Sequence, residues 1–441
     1  MKYSGPISGL ISFSIGGGWG SEVAKDGYSR VAIIRGTDIP KVAAGDFSTI
    51  PYRFESDKKL ANRYLAAGDV VLETAGGSSA NGQYTGRTAL ITDEVLDALG
   101  PTICASFCKK LVLDKDLVNP TYFYYYMQDL YKSGRVASYD SQSTGISNFQ
   151  FENFINNEVL DLPTYPHQIV IGNVLASLQA KMNINSQIAR TLEKIAQTIF
   201  KSWFVDFDPV YAKARGEQSV VMDADTAAVF PDSFEDSELG PVPAGWGLNS
   251  MATNFQLISG GTPKTTNSDF WDGDIPWYSV VDVPYDSPFF VATSKYITKL
   301  GVEKSAVNLI GEGTTIISAR GTVGKLAMAG VKAAFNQSCY GIKGKLTDYF
   351  TYLLVQNSVK RLQAMTHGGT FDTITRTTFD AIDVVTVPES VQIAFEELVQ
   401  PLFEQMKLIS HQNVTLAQCR DSLLPRLISG ELEIPAELLE A

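Results

Sequence analysis

The sequence predicts an α+β protein of two globular domains in a pseudo-twofold arrangement, joined by two long antiparallel coiled-coil helices. Three observations carry that prediction. The chain is written twice, each copy closes on a heptad run, and the acidic excess lies outside both globular copies.

The repeat comes first, because a missed duplication misassigns everything after it. Ile15-Gly16-Gly17-Gly18 is echoed 243 residues later by Ile258-Ser259-Gly260-Gly261. The strand-like Ile33-Ile34-Arg35-Gly36-Thr37-Asp38 is answered by Trp277-Tyr278-Ser279-Val280-Val281-Asp282, with Asp38 and Asp282 244 apart. Ala67-Gly68-Asp69-Val70-Val71-Leu72 corresponds to Glu312-Gly313-Thr314-Thr315-Ile316-Ile317, and Ala75-Gly76-Gly77 to Ala319-Arg320-Gly321. Each reads as a turn, a buried strand and a glycine loop. Later, Ser143-Thr144-Gly145-Ile146-Ser147 resembles Gly368-Gly369-Thr370-Phe371-Asp372, and Leu162-Pro163 matches Val387-Pro388 at an offset of 225, so the first copy carries about 19 extra residues in its middle. One such match arises easily by chance; a series in the same order does not.

After Pro163 the pattern turns helical. Ile171, Leu175, Leu178, Met182, Asn185, Ala189, Leu192, Ala196, Ile199 and Trp203 alternate steps of four and three, which is a coiled-coil seam. Adding 224 gives Phe395, Val399, Leu402, Met406, Ile409, Asn413, Leu416, Arg420, Leu423 and Leu427, again mostly apolar. Two narrow seams in one chain are most economically buried against each other, and Asn185 and Asn413 would then fix the register at some cost in stability. Each helix packing on its own domain or on a partner is the competing arrangement. Pro401 predicts a bend or a late helix start, since proline removes one helical hydrogen bond. The expected boundaries are 1–160 and 241–385 for the globular copies and 166–204 and 389–428 for the helices. An acidic connector takes 205–240 and a tail 429–441.

A net charge of −12 argues at first against nucleic acid, whose phosphates need Lys and Arg. The distribution reverses the argument. Residues 205–240 hold 2 basic and 9 acidic side chains and 386–441 hold 3 and 9, whereas 1–160 hold 15 and 17 and 241–385 hold 12 and 11. Near-neutral copies can still present a basic face. Met1 to Leu10 has neither the charged start nor the apolar core of a signal peptide, and no apolar run is long enough to span a bilayer, so the expected location is the cytoplasm. Cys104, Cys108, Cys339 and Cys419, with His167, His367 and His411, show no metal-ligand spacing, and the thiols are read as buried or idle.

No catalytic motif is complete. Asp208-Pro209-Val210-Tyr211 is near the Asn/Asp-Pro-Pro-Tyr loop of amino-methyltransferases but lacks the second proline and follows a helix rather than a strand. Gly76-Gly77-Ser78-Ser79-Ala80-Asn81-Gly82 lacks the Gly-Lys-Ser/Thr ending of a phosphate loop.

The run Ile188, Leu192, Glu193, Ile195, Phe200 closing on Trp203-Phe204-Val205-Asp206-Phe207-Asp208-Pro209-Val210 resembles the central region of the specificity (S) subunits of Type I restriction-modification systems. Leu239-Gly240-Pro241-Val242-Pro243-Ala244-Gly245-Trp246, Ile258-Ser259-Gly260-Gly261-Thr262-Pro263 and Leu424-Pro425-Arg426-Leu427-Ile428-Ser429-Gly430-Glu431-Leu432 resemble later parts of that family; a Pro-Gly-Trp lead-in is missing before the first copy. The resemblance implies a non-catalytic reader of a bipartite DNA target, its globular copies being target-recognition domains. It implies two modification (methyltransferase) subunits and two restriction (endonuclease/translocase) subunits as partners, with S-adenosylmethionine, ATP and Mg on those partners and no cofactor on this chain. The 33-residue seam spans about 50 Å at about 1.5 Å per residue, on the order of 15 base pairs at about 3.4 Å each. An architectural adaptor with no DNA affinity, or an enzyme active by itself, are the alternatives.

Base edges are read by donors and acceptors on polar, glycine-bounded loops. The candidates are Arg35, Thr37, Ser78, Asn81, Gln83, Tyr84, Arg87, Tyr139, Ser141, Gln142, Ser143 and Thr144 in the first copy. The second offers Thr262, Lys264, Trp277, Ser279, Arg320, Thr322, Lys325, Asn336, Gln337, His367 and Thr370. Such residues are also the ordinary vocabulary of turns. Arg87 and Arg320 stand out, since an arginine beside a glycine loop can present its fork to guanine or phosphate.

Overall fold

A side chain needs room that crossing backbones do not leave, and the repeated glycines mark where that happens. The computed structural model describes residues 3–76, 84–143, 146–217, 222–366 and 373–439, without the side chains of 142, 143 and 146. They form two compact units, Met1–Asn183 with Leu416–Ala441, and Ile184–Thr415.

In the first unit, β1 (Ile11–Gly16), β2 (Tyr28–Ile34), β3 (Val70–Glu73), β4 (Thr88–Leu90), β5 (Thr102–Cys104) and β6 (Cys108–Leu113) build two sheets. One is antiparallel in the order β1-β6-β3-β4; in the other, β2 lies between Tyr52–Ser56 and β5, to which it is parallel. Every residue of β3 is buried because both faces are covered, which is why Val70-Val71-Leu72 reads as an apolar run. Val70 and Leu72 pack with Tyr122 and Phe123, and Val71 packs on the other side with Ile34 and Ile91. Tyr122 and Phe123 belong to α1 (Pro120–Lys132), whose first turn is capped by the Asn119 side chain accepting from the N–H of Thr121 and Tyr122 at 3.0 and 3.1 Å.

The second unit repeats this plan. Its strands are β7 (Phe255–Ser259), β8 (Trp271–Tyr278), β9 (Thr315–Ser318), β10 (Leu326–Ala329), β11 (Ala334–Phe335) and β12 (Cys339–Gly344). The order β7-β12-β9-β10 matches β1-β6-β3-β4, with Phe289–Phe290 added at the edge, and β8 is parallel to β11 as β2 is to β5. The added residues of the first copy do not sit in one place. The β3–β4 loop is longer than the β9–β10 loop, and the helix Asp93–Leu99 has no counterpart among the described residues between β10 and β11.

The two glycine pairs follow from this topology. Leaving β1 and β7, the chain passes under the segment that follows the parallel strand: Gly18 N–H donates to Cys104 O and Gly261 N–H to Phe335 O, both at 2.9 Å. A β-carbon on Gly17 would stand 2.1 Å from the Cys104 oxygen, and one on Gly260 2.0 Å from the Asn336 oxygen.

Two 40-residue helices, α2 (Tyr165–Phe204) and α4 (Glu389–Ile428), continue from one unit into the other; α3 (Asp348–Thr366) is the counterpart of α1. Within each unit the two long helices pack antiparallel. In the second, Asn185 meets Asn413 while Phe200 and Trp203 meet Phe395; in the first, Arg420 donates to Gln179 and Leu424 and Leu427 share a core with Ile171 and Leu175. Met182, Asn185, Val399, Met406, Ile409 and Trp203 are buried; Leu178, Leu192, Ile199, Leu402, Asn413, Leu416 and Leu423 are half-buried. Phe403 and Leu424 are buried more deeply than the seam residues Leu402 and Leu423 before them, because a straight helix drifts from a strict seven-residue repeat. The expected late start at Pro401 is not found. The helix begins at Glu389 and runs through Pro401, which sits on an exposed face where water can satisfy the carbonyl it leaves unpaired.

The acidic connector is no free linker. It forms a helix at Asp208–Ala214 and buries Val210 and Phe230 in the second unit, where Trp246 is packed beside Phe204, Phe207 and Phe230.

Gly17→Ala and Gly260→Ala should each lower the urea unfolding midpoint of the unit that carries them, by the equivalent of about 1–3 kcal/mol. Gly16, with nothing within 4 Å of its would-be β-carbon, is the control. An equal loss for Gly16→Ala would mean that close approach is not what these glycines serve.

Candidate nucleic-acid interface

The strand register collects the polar loops at one rim of each unit. In the first, the end of β1 meets the start of β6 (Gly16 opposite Lys109), the end of β3 meets it too (Glu73 opposite Cys108), and β2 ends level with β5 (Ile34 beside Cys104). In the second, Ser259 is opposite Tyr340, Ser318 opposite Cys339, and Tyr278 beside Phe335. Segments 16–20, 35–38, 74–76 and 105–107 therefore leave the sheets together, as do 259–264, 279–282, 319–325 and 336–338.

Details of the rim repeat as well. After β2 and after β8 a single 3-10 turn is closed by an aspartate three residues on: Asp38 accepts from Arg35 N–H at 3.0 Å, and Asp282 from Ser279 N–H at 2.8 Å. Gly76 pairs with Ser147 and Arg320 bridges to Thr373. Thr74 O accepts from Phe149 N–H at 2.9 Å as Ala319 O does from Ile374 N–H at 3.0 Å.

The rim loops are stapled differently in the two copies. In the first, buried Glu73 at the end of β3 takes both arms of the Arg87 fork, at 2.7 and 2.5 Å, across the long loop before β4. That hydrogen-bonded pairing holds the guanidinium above its ordinary pKa range. In the second, Ser318 at the end of β9 accepts from Lys325 N–H at 2.8 Å and donates to Thr322 O, closing a short turn. Glu73 corresponds to Ser318, and Arg87 to Lys325.

The candidate side chains separate accordingly. Arg87 is committed to Glu73, and Arg35 to Asp38 (2.7 and 2.9 Å) and the Thr49 carbonyl (2.7 Å). Tyr84 turns inward, its ring 4.6 Å from that of Tyr131 and its hydroxyl donating to Tyr131 O. Tyr139 packs edge-on to Phe154 and donates to Glu158. Trp277 is 7% exposed and donates its indole N–H to Gly261 O at 3.0 Å, so its ring is core and not a stacking platform. Ser279 donates to Asp282 and Ser141 to Asn148 O. Gln142 is placed by its backbone opposite Ser147.

What stays available lies mostly in the second unit. Arg320, Thr322, Lys325, Lys264 and Gln337 are exposed, and Thr262 donates to Gln337, joining two of the loops. Asn336 accepts from Ser338 N–H at 3.1 Å. Among the described residues Arg320 has no ion-pair partner. Thr37 is exposed in the first unit. Ser78, Asn81, Gln83, Thr144, His367 and Thr370 lie outside the described residues, and Ser143 is described by its backbone alone. Sequence reasoning missed Phe107, 62% exposed on the first rim, whose carbonyl accepts from Thr74 and Ala75. A search for polar residues passes it over, although an aromatic between two strands is its own signal.

Cys104 and Cys339 are buried, which pushes each thiol up to about 12, and burial raises Cys108 as well. Among the described residues no group of three or more His, Cys, Asp or Glu is placed to hold a metal, and no helix is long and apolar enough to cross a membrane.

Residues 253–417 match the family model described as Type I restriction modification DNA specificity domain. The match runs from before β7 into α4. Over part of its length the chain is also similar to specificity subunits of such systems. It is 28% identical over 316 residues to the Type I restriction enzyme HindI specificity subunit of Haemophilus influenzae, covering 62% of this chain and 69% of that one. It is 25% identical over 331 residues to the MjaIX specificity subunit of Methanocaldococcus jannaschii, covering 73% and 71%. The fold is that of the crystal structure of a Type I S subunit from M. genitalium, with a TM-score of 0.53 at 12% identity over 97% of this chain and 96% of the other. The globular part of the matched segment has its internal counterpart in the first unit, which repeats its strand order.

Two outcomes separate staple from reader. Arg87→Ala leaves buried Glu73 unpaired and should cost about 3–5 kcal/mol in urea unfolding, while exposed Arg320→Ala should stay within about 0.5 kcal/mol. A thiol reagent should label native protein at exposed Cys419 and leave Cys104, Cys108 and Cys339 unlabelled until urea is added; equal labelling of all four would contradict their burial.

Proposed function

We propose that the chain is the DNA-reading subunit of a Type I restriction-modification complex, taking a bipartite target with one half per globular unit. The observation that carries this is the repeated rim: the same six strands, the same aspartate-closed turn and the same glycine crossing present a corresponding set of loops twice. Target-recognition domains would be residues 1–160 and 241–385. The paired helices would hold them at a set spacing with unread base pairs between, and would also scaffold the modification and restriction subunits, two of each. The chain itself performs no catalytic step in this reading; S-adenosylmethionine, ATP and Mg belong to those partners. Arg320, on an exposed loop with its fork unengaged by the described residues, is the residue best placed to contact a base edge or a phosphate.

The experiment is methylome sequencing of a host without its own restriction systems, expressing the cognate modification subunit with or without this chain. A split methyladenine motif that requires the chain, and of which one half alone changes when residues 1–160 are exchanged, is the expected result. Arg320→Ala should relax one position in the other half. Identical methylomes from a complex that nonetheless forms would make the chain an architectural adaptor.

A further inference from the structure

We propose that the second unit holds a phosphate seat for duplex DNA apart from its base-reading loops, in a groove between α2 and the recognition domain; this rests on the DNA-reading function above. The groove has a volume of about 640 Å³ and is lined by Arg190 and Lys194 of α2, Lys325 of the rim and Lys360 of α3. Lys325 belongs to both rim and groove, so the groove continues the surface on which the target would lie. Gln363 of α3 donates to Val323 O at 2.9 Å and fixes that junction.

The charges in the groove are arranged for an anion. Among the described residues none of the four cations has an ion-pair partner, although two carboxylates line the same groove. Glu193 accepts instead from neutral donors, the Tyr352 hydroxyl at 2.8 Å and the amides of Gln356 and Gln197 at 2.9 and 3.2 Å. Asp286 accepts from Ser186 and Asn413. One oxygen of each acid, Glu193 Oε1 and Asp286 Oδ2, is taken by these neutral donors and among the described residues neither acid pairs with a cation, a pattern that suits a phosphodiester and spares the cations the cost of leaving an internal partner.

The first copy does not repeat it. The counterparts of Arg190 and Lys194 are Val414 and Gln418, neither of them charged. That of Lys325 is Arg87, tied to Glu73, and that of Lys360 is Lys132, tied to Asp421. The seat therefore favours one side of the target, and because it touches phosphates it adds affinity without sequence information.

The test compares the complex of modification subunit with full chain against the same complex carrying R190Q, K194Q and K360Q together. Binding to a duplex of the methylated sequence is measured over a salt series. The triple variant should lose affinity for target and scrambled duplex by the same factor, and its log–log salt slope should fall by about 1 for each phosphate no longer neutralised. Its methylated motif should not change, and R190K with K360R should keep the wild-type slope. An unchanged slope, or a changed motif, overturns the seat while leaving the reader intact. A wild-type complex that does not prefer the target overturns both. Thermal unfolding of each complex separates a folding defect, which would lower the melting temperature, from a missing phosphate interaction, which would not.

Discussion

Two stretches of backbone cross at each rim too closely for any side chain, and the rest of each unit is arranged around that crossing. The hydrogen bonds from Gly18 and Gly261 hold the exit of one sheet against the end of a strand pair in the other. Because the crossing is backbone to backbone, its geometry does not depend on which side chains the neighbouring loops carry. A frame of that kind lets the loops differ between copies while the strands beneath them keep order and register.

The loops have used that freedom in opposite ways. A long loop in the first copy is closed by a buried carboxylate and an arginine fork, which span a wide gap with two directed bonds. A short turn in the second is closed by one serine hydroxyl, which leaves Arg320 and Lys325 at the surface. The same staple position thus consumes a cation in one unit and releases cations in the other.

The sequence showed the architecture well and individual side chains poorly. Glycine crossings, buried strands and both heptad runs impose patterns on neighbouring residues, so the repeat, the two 40-residue helices and the Asn185–Asn413 contact were all legible. Arg87 and Trp277 have internal partners that the sequence does not reveal, for one physical reason. A side chain beside a glycine loop can point outward to a ligand or inward to a partner, and the partner, Glu73 or the Gly261 carbonyl, is remote in sequence. The distributed extra length was hidden because an offset measures only the sum of insertions. The groove at Arg190 needed the structure, since its cations come from three separate elements.

The hydrogen bond between Asn185 and Asn413 has a meaning for how such a chain came to be one molecule. Shifted by the repeat, Asn185 corresponds to Ile409 and Asn413 to Ala189, so each amide has an apolar residue as its internal counterpart. If two identical first halves paired through α2 in the same register, Asn185 would face Ala189 and its buried amide would lose its partner. The amide pair is a lock that only unlike halves can close, and it favours the fused, asymmetric chain over a dimer of either half.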